Sequence, residues 1–292
     1  MALFKDVVEA FIASREFDKA TLTRLAFWVE VIGEKEIAAI TADDIDAALV
    51  RLAERGRLKA GRRATVSVGQ PLAGSTVNRH LTQAGSVFKH AKRLKLVPRT
   101  FIAPTRGIER IPERPDPERY LRPEEVARLI AVARVVDRRW KKMLALITVA
   151  YHTGMRVGSI LAVRGKDVDL DAGTITVPRT KNGDPITAAL SAGALAELRR
   201  LPKVGPEALV FGNRDGRRYH YTPLWRRITE EARLPGRVFH ELRHGHGYEL
   251  ARAGVSQQLI MASMGHKTLA ASQRYAHASI ADKKAVIERV FG

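Results

Sequence analysis

The last third of the chain carries residue types suited to phosphate chemistry. His240 and Arg243 stand three residues apart, so on a helix they would share one face and could bind the same phosphate. Tyr275 follows His266 by nine residues. Arginine grips phosphate oxygens through paired N–H donors, histidine and lysine move protons, and a tyrosine hydroxyl is a nucleophile. This set predicts cleavage of a phosphodiester bond without a metal ion.

Two further cations lie upstream of this set. Arg156 follows an apolar segment that ends at Gly154, and it starts the next predicted helix, where helix N-termini favour phosphate. Lys181 directly precedes Asn182-Gly183, a strong signal for a hairpin turn. Taken alone, either residue would be read as an ordinary solvated side chain. Their order ahead of the histidines and the tyrosine makes them candidates for the same site.

The order and spacing of these residues resemble the tyrosine recombinases, the phage integrase family. The resemblance is strong in the second half of the chain and weak in the first. The chain differs from the family pattern at three places. Ser159 stands where an acidic residue is common, and Gly245 stands where a small hydroxyl residue is usual. The stretch after Lys181 lacks the arginine that is often found there. The resemblance implies six catalytic residues, namely Arg156, Lys181, His240, Arg243, His266 and Tyr275.

In that family the tyrosine attacks the scissile phosphate, which for Tyr275 implies a 3′-phosphotyrosyl link, and Lys181 would protonate the leaving 5′ oxygen. Neither ATP, a metal nor any other cofactor is implied. The expected partners are a double-stranded DNA core site and other copies of the chain, as a monomer or dimer when free and a tetramer in the synapse, with accessory DNA-bending proteins as a further option. Two alternatives stay open: a type IB topoisomerase, and a DNA-binding regulator that has lost catalysis.

A metal site competes for one of these motifs. Residues His240 to His244 also fit H-E-x-x-H, the helix of zinc proteases. Zinc needs a third protein ligand, and Leu250 stands where the extended motif would place a histidine. Arg243 between the two histidines would also repel a dication. The sequence therefore argues against a metal site at this motif.

Composition agrees with a polyanionic partner. The chain of 292 residues carries a formal net charge of +19 and contains no cysteine, so disulfides and thiolate metal sites are excluded. It has no apolar run near the ~20 residues of a spanning helix and no signal peptide at its start. We expect a cytoplasmic, nucleoid-associated protein with no membrane partner.

The charge is concentrated in one segment. Residues 1–54 hold six Lys/Arg against eleven Asp/Glu, whereas residues 55–112 hold thirteen against one. A switch of sign within one small domain indicates that one face meets DNA. The candidate DNA-binding residues in the basic segment are Arg62, Arg63, Asn78, Arg79, Gln83, Lys89 and Lys92.

Apolar periodicity predicts a mainly α protein in two domains. Residues 1–103 are expected to form a four-helix, SAM-like core-binding domain, with a basic loop at 57–70 and a helix capped by Ser75. Four prolines in 104–120 indicate a linker. Residues 121–292 are expected to form a mostly α catalytic domain with a β-hairpin at 168–177. Helices are predicted near 142–152, 192–200, 222–233, 240–253, 256–263, 268–276 and 281–290. The last is amphipathic; in the family such a helix docks on another protomer, and packing on its own domain is the open alternative.

Overall fold

The computed structural model describes most of the chain. The described residues are 2–60, 65–67, 69–113, 119–138, 141–178, 185–266, 268, 269, 272, 275, 284, 287, 288 and 290–292. They divide into two compact units, Met1–Pro115 and Asp116–Gly292, with the boundary inside the predicted linker. No helix among the described residues is long and apolar enough to cross a membrane.

The first unit is built from the four predicted helices. They are α1 (Phe4–Ala13), α2 (Lys19–Ile32), α3 (Ala42–Arg55) and α4 (Gly74–Arg93). Helix α3 begins at a capping box, as predicted, because the Asp44 amide donates to Thr41 Oγ1 at 3.2 Å and the Thr41 amide donates back to the Asp44 carboxylate at 3.1 Å. Trp28 is fully buried at the centre, where its Nε1 donates to the carbonyl of His80 at 2.9 Å.

Two predictions about the segment before α4 are wrong. The predicted basic loop contains two antiparallel strands, β1 (Leu58–Ala60) and β2 (Thr65–Ser67), and the Arg57 amide closes their base by donating to the Gln70 carbonyl at 2.8 Å. β-Branched Thr65 and Val66 suit a strand, a signal that the surrounding glycine and arginine obscured. Helix α4 starts at Gly74 without a side-chain cap, so Ser75 lies inside it.

The predicted linker is shorter than expected. Residues Pro104–Arg106 form a 3-10 turn, and Ile108 packs on the core of the first unit. The side chain of Asn78 on α4 holds both backbone groups of Ile111: its Nδ2 donates to the carbonyl at 2.8 Å and its Oδ1 accepts from the amide at 3.1 Å. The described residues of the predicted linker up to Glu113 therefore belong to the first unit.

The second unit is mostly helical. Its helices are α5 (Pro123–Val136), α6 (Lys142–Thr153), α7 (Val157–Ile160), α8 (Ala192–Arg199), α9 (Thr222–Glu231), α10 (Glu241–Arg252) and α11 (Gln257–Met264). Helix α6 is buried around almost its whole circumference and packs against α5, α7, α8 and α10. The central position of α6 follows from its apolar composition, which leaves it no solvent face.

A small antiparallel sheet completes this unit. The predicted hairpin is present as β3 (Val168–Asp169) and β4 (Thr174–Val177). A third strand, β5 (Ile186–Ala189), pairs with β4 in the register Val177↔Ile186. The predicted helices at 268–276 and 281–290 lie mostly outside the described residues, as does the turn at Asn182-Gly183.

Candidate active site

Three helix ends converge where the candidate residues lie. Helix α6 stops at Gly154, whose φ of 62° is left-handed and whose missing side chain leaves room for a ring: a Cβ there would lie 2.4 Å from Cδ2 of His246. Arg156 is the N-cap of α7, as the sequence predicted. Helix α11 ends at Met264, immediately before Gly265 and His266.

Arg243 ties two of these helix ends together. Its side chain on α10 is 4% exposed. Nη1 donates to the carbonyl of Gly154 at 2.5 Å, and Nη2 donates to the carbonyl of Met264 at 2.6 Å. Carbonyls at helix C-termini carry partial negative charge, so they favour a guanidinium and fix the direction of its plane. Arg243 is thus held rigidly before any ligand arrives.

Arg156 and Arg243 line one pocket. Its other walls include Ser159 from α7, Val177 from β4 and Ile186 from β5. Because Val177 and Ile186 are paired, the segment that joins β4 to β5 starts and ends beside this pocket. That segment contains Lys181, which lies outside the described residues.

The side chain of Tyr275 is buried. Its ring is 2% exposed and packs with Ile260 and Met264 of α11. Its hydroxyl lies 3.0 Å from Nδ1 of His244. The ring of His266 lies parallel to it, with centroids 6.2 Å apart and an interplanar angle of 7°.

His266 is oriented by a hydrogen bond of its own. Its Nδ1 lies 2.7 Å from the hydroxyl oxygen of Ser272, three residues before the tyrosine. The ring of Tyr248 meets that of Tyr275 edge to face, with centroids 5.3 Å apart. His266 and Tyr275, two of the predicted site residues, thus lie with their rings side by side.

Two glycines of α10 allow neighbouring groups to pack directly against the helix backbone. A Cβ on Gly247 would lie 2.7 to 2.9 Å from three ring atoms of Tyr275, and a Cβ on Gly245 would lie 2.4 Å from the carbonyl oxygen of Leu121. Both distances are shorter than carbon contacts tolerate. At Gly245 the backbone before α5 lies close to α10 and leaves little room for a side chain.

His240 lies at the edge of the site. It is the N-cap of α10, one residue before the helix begins, and it is exposed. Its ring meets that of His244 edge to face, with centroids 4.8 Å apart. His240 and Arg243 are thus near each other at one end of α10, although Arg243 is buried and His240 faces outward.

Glu241 has a structural role that conflicts with the zinc-protease motif. It is 1% exposed, and its carboxylate accepts from Arg119 Nε at 2.8 Å and from Arg237 Nη1 at 3.4 Å. A carboxylate engaged by two arginines is not available as the base of a zinc protease. Among the described residues no cluster of three His, Cys, Asp or Glu side chains is placed to hold a metal.

His246 braces the same helix ends as Arg243. Its Nδ1 lies 2.9 Å from the carbonyl oxygen of Tyr151 on α6, and its Nε2 lies 3.3 Å from Oγ of Ser263 on α11. Burial lowers its pKa to about 4, with Arg243 and His152 adding smaller lowering effects. The imidazole is therefore neutral at pH 7, which suits a position beside a buried guanidinium.

The predicted DNA-binding residues of the first unit divide into three groups. Arg79, Lys89 and Lys92 are exposed on α4, and Gln83 is half-buried. The prediction for Asn78 is corrected by its burial, because the residue is only 5% exposed. Its side-chain amide is hydrogen-bonded to the backbone of Ile111 and, at 2.8 Å, to the carboxylate of Glu113, so it is not accessible to DNA. The predicted residues Arg62 and Arg63 lie outside the described residues.

Sequence reasoning missed three residues of the site. His244 was considered only as a zinc ligand, yet it contacts the hydroxyl of Tyr275. No motif in the sequence marks Gly247 or His246. The spacing of small and aromatic residues along α10 was a signal for close packing on one face, but the sequence does not reveal the partner.

Comparison with known proteins identifies the class. The family model described as the phage integrase family matches residues 119–281, more than half of the chain. The chain therefore belongs to the phage integrase family of tyrosine recombinases.

Individual relatives agree with this assignment. A shufflon-specific DNA recombinase of Escherichia coli is 30% identical over 212 residues, which cover 72% of this chain and 52% of the relative. The tyrosine recombinase XerC of Lactobacillus delbrueckii subsp. bulgaricus is 25% identical over 233 residues, covering 74% and 76% of the two chains. The match thus spans about half the length of the first relative.

Solved structures establish the fold. The Tn1549 transposon integrase in complex with transposon right-end DNA superposes with a TM-score of 0.75 over 100% of both chains at 17% identity. A lambda integrase dimer bound to a core site gives a TM-score of 0.67 over 93% of both chains, also at 17% identity. The predicted mainly α architecture with a small antiparallel sheet is confirmed.

Proposed function

We propose that this protein is a site-specific DNA recombinase that cuts and rejoins strands through a 3′-phosphotyrosyl intermediate, with Tyr275 as the nucleophile. The observation that carries the proposal is the arrangement around Tyr275. Its hydroxyl is 3.0 Å from His244, and its ring is parallel to that of His266. His244 directly follows Arg243, whose buried guanidinium is fixed by the carbonyls of Gly154 and Met264.

The two arginines would hold the scissile phosphate. Arg156 and Arg243 line the same pocket, so the phosphate oxygens could meet two guanidinium groups there. Negative charge grows on those oxygens as the pentacoordinate transition state forms, and preorganised donors stabilise it more than the ground state. His240 and His266, at the edges of the site, would add hydrogen bonds to the remaining oxygens.

Lys181 would protonate the departing 5′ oxygen. The pairing of Val177 with Ile186 supports this role, because the segment that carries Lys181 begins and ends at the pocket that holds the arginines. The alkoxide that leaves a phosphodiester is strongly basic, so a proton donor at that position accelerates cleavage. Because side chains supply the charge and the protons, the proposed reaction uses neither a metal nor ATP.

Duplex DNA is the proposed partner of both units. The basic segment of the first unit presents Arg79, Lys89 and Lys92 as exposed cations on α4, where they would contact phosphates. In two of the solved relatives the DNA is a transposon end and a core site. We propose a comparable core site for this chain.

We propose that the C-terminal segment joins the subunits of a tetramer on two duplexes. The apolar residues of this segment include Ile287, Val290 and Phe291, which are 55%, 60% and 80% exposed, while Ile280 and Val286 lie outside the described residues. Apolar side chains left in water gain about 25 cal/mol per Å² when they are covered. A neighbouring protomer would provide that cover. Deletion from Ser279 onward should then preserve binding to one core site and abolish recombination between two.

The decisive experiment measures covalent attachment to a nicked core-site duplex. The core site is first found by searching the DNA beside the coding sequence for an inverted repeat. Wild-type protein should form an adduct that survives denaturing electrophoresis, and Tyr275→Phe should form none while binding the duplex with unchanged affinity, because the hydroxyl contributes little to ground-state binding.

Tyr221→Phe is the matched control. Tyr221 is half-buried against Phe239, and burial raises the pKa of its phenol. This variant should form the adduct at the wild-type rate. An adduct that persists with Tyr275→Phe would exclude Tyr275 as the nucleophile, and absence of an adduct with wild-type protein on its own site would favour a regulator without catalysis. Relaxation of supercoils without strand exchange would favour a topoisomerase.

A further inference from the structure

The hydroxyl of Tyr275 has a specific neighbour that the six-residue catalytic set does not contain. Nδ1 of His244 lies 3.0 Å from the phenolic oxygen, within hydrogen-bond distance. His244 follows Arg243 directly on α10, so the helix that anchors the phosphate-binding guanidinium also carries this imidazole. A half-buried imidazole in contact with a nucleophile is the arrangement by which hydrolases activate hydroxyl groups.

The burial of Tyr275 makes a proton acceptor necessary. A phenol with a pKa of about 10 is only about a thousandth ionised at pH 7. The Tyr275 side chain is 2% exposed, so bulk water has little access to its hydroxyl in this arrangement. Attack on phosphorus requires the O–H bond to break, and the proton must pass to a neighbouring group.

His244 is better placed for this than the other histidines of the site. His240 is exposed at the start of α10, and its ring contacts that of His244. His266 lies parallel to the Tyr275 ring with centroids 6.2 Å apart, and its Nδ1 is engaged with Ser272 at 2.7 Å. His244 places Nδ1 3.0 Å from the phenolic oxygen, a distance that suits proton transfer from the phenol.

We propose that His244 is the general base that accepts the phenolic proton of Tyr275; this inference rests on the proposed function. In the neutral imidazole with its proton on Nε2, Nδ1 is the acceptor. As the phenolic oxygen bonds to phosphorus, its O–H bond breaks and the proton moves to Nδ1, giving an imidazolium. The bond from phosphorus to the 5′ oxygen breaks, and that oxygen takes a separate proton, from Lys181 in the proposed scheme.

The reverse reaction uses the same groups. When a 5′-hydroxyl attacks the phosphotyrosine, the tyrosine oxygen departs and the imidazolium of His244 returns the proton to it. The imidazolium formed in the first step would also offset the negative charge of the transition state, because its Nδ1 lies 3.0 Å from the oxygen that bonds to phosphorus. One histidine thus acts as base in cleavage and as acid in rejoining.

The test compares three proteins on a nicked core site under single-turnover conditions: wild type, His244→Gln and His244→Phe. Glutamine keeps a hydrogen-bonding group near the tyrosine but cannot take a proton, whereas phenylalanine removes both functions. Loss of a general base costs about 10²–10⁴-fold in rate. We expect both variants to form the adduct at least about 10²-fold more slowly than wild type, with unchanged DNA affinity. His220→Gln, a change at an exposed histidine of the same unit, is the matched control.

Two chemical probes separate a base from other roles. A substrate with sulfur at the bridging 5′ position releases a thiolate that needs no proton, so it should leave the His244→Gln defect in place. A fluorinated tyrosine at position 275 has a more acidic phenol, so it should reduce that defect. Rescue of His244→Gln by the sulfur substrate would assign His244 to the leaving group and overturn the proposal.

Two other results for the His244 variants would overturn the general-base role. If His244→Gln forms the adduct at a rate within a few-fold of wild type, His244 only positions Tyr275. If His244→Phe forms the adduct faster than wild type, the contact with His244 restrains Tyr275 in an unreactive position. Either result overturns the general-base role while the proposed function stands, provided that Tyr275→Phe still forms no adduct. An adduct with Tyr275→Phe would instead overturn the proposed function itself.

Discussion

Replacement of Gly247 by alanine offers a sharp test of how α10 positions the nucleophile. The new methyl carbon would lie 2.7 Å from Cζ of Tyr275, 2.8 Å from Cε1 and 2.9 Å from Cε2. Carbon atoms in contact prefer a separation of about 3.5–4.0 Å. The neighbouring atoms are an aromatic ring rather than the end of a flexible chain, so the ring must retreat as a body by about 0.8 Å or more.

That displacement disrupts the contact with His244. The phenolic oxygen starts 3.0 Å from Nδ1 of the imidazole, and moving the ring away from α10 carries it beyond the hydrogen-bond limit of about 3.5 Å. Misplacement of a reacting group by about 1 Å can lower a rate by about 10²-fold. Overpacking of this kind destabilises a fold by about 1–3 kcal/mol, which is a few degrees in melting temperature for a domain of this size.

The assay measures the adduct rate and the melting temperature of Gly247→Ala together. We expect the rate to fall about 10²-fold while the melting temperature falls by only a few degrees. Gly205→Ala is the control, because a Cβ at Gly205 meets nothing within 4 Å. If Gly247→Ala reacts as fast as wild type or faster, the position of Tyr275 against Gly247 is not the one from which it reacts, and the reasoning fails.

Further predictions concern the cations, the metal question and pH. Arg243→Lys should slow adduct formation by at least about 10²-fold, because an ammonium cannot replace the two directed bonds to Gly154 and Met264; a loss of only a few-fold would remove Arg243 from the phosphate site. Adduct formation should continue in EDTA, and loss on chelation with recovery on adding zinc would revive the metal alternative. Burial lowers the pKa of both His80 and His246 to about 4. Because the unfolded chain then binds more protons between about pH 6.5 and 4, stability should fall as the pH is lowered through that window, by up to about 3 kcal/mol for each histidine. Urea unfolding at pH 7 and pH 4.5 checks this, and a pH-independent stability would contradict the burial of both rings.

The sequence by itself determined the class of the protein and most of its elements. Apolar periodicity predicted the four helices of the first unit and the long helices of the second, because a helix reveals its buried face locally, every three or four residues. Capping chemistry located the start of α3 at Thr41, since the capping box is complete within four residues. The family resemblance predicts that Arg156, Arg243, His266 and Tyr275 share one site.

The tertiary structure decided which side chains meet. Asn78 reads as a polar residue on a wet helix, but it is buried because Ile111, far away in the chain, docks on it. Strand β5 escaped prediction because a four-residue strand is defined by its partner β4 rather than by its own pattern. His244 contacts Tyr275 only because Gly247 lets the tyrosine lie against α10. Contacts between residues distant in sequence depend on packing in three dimensions, and no local pattern encodes them.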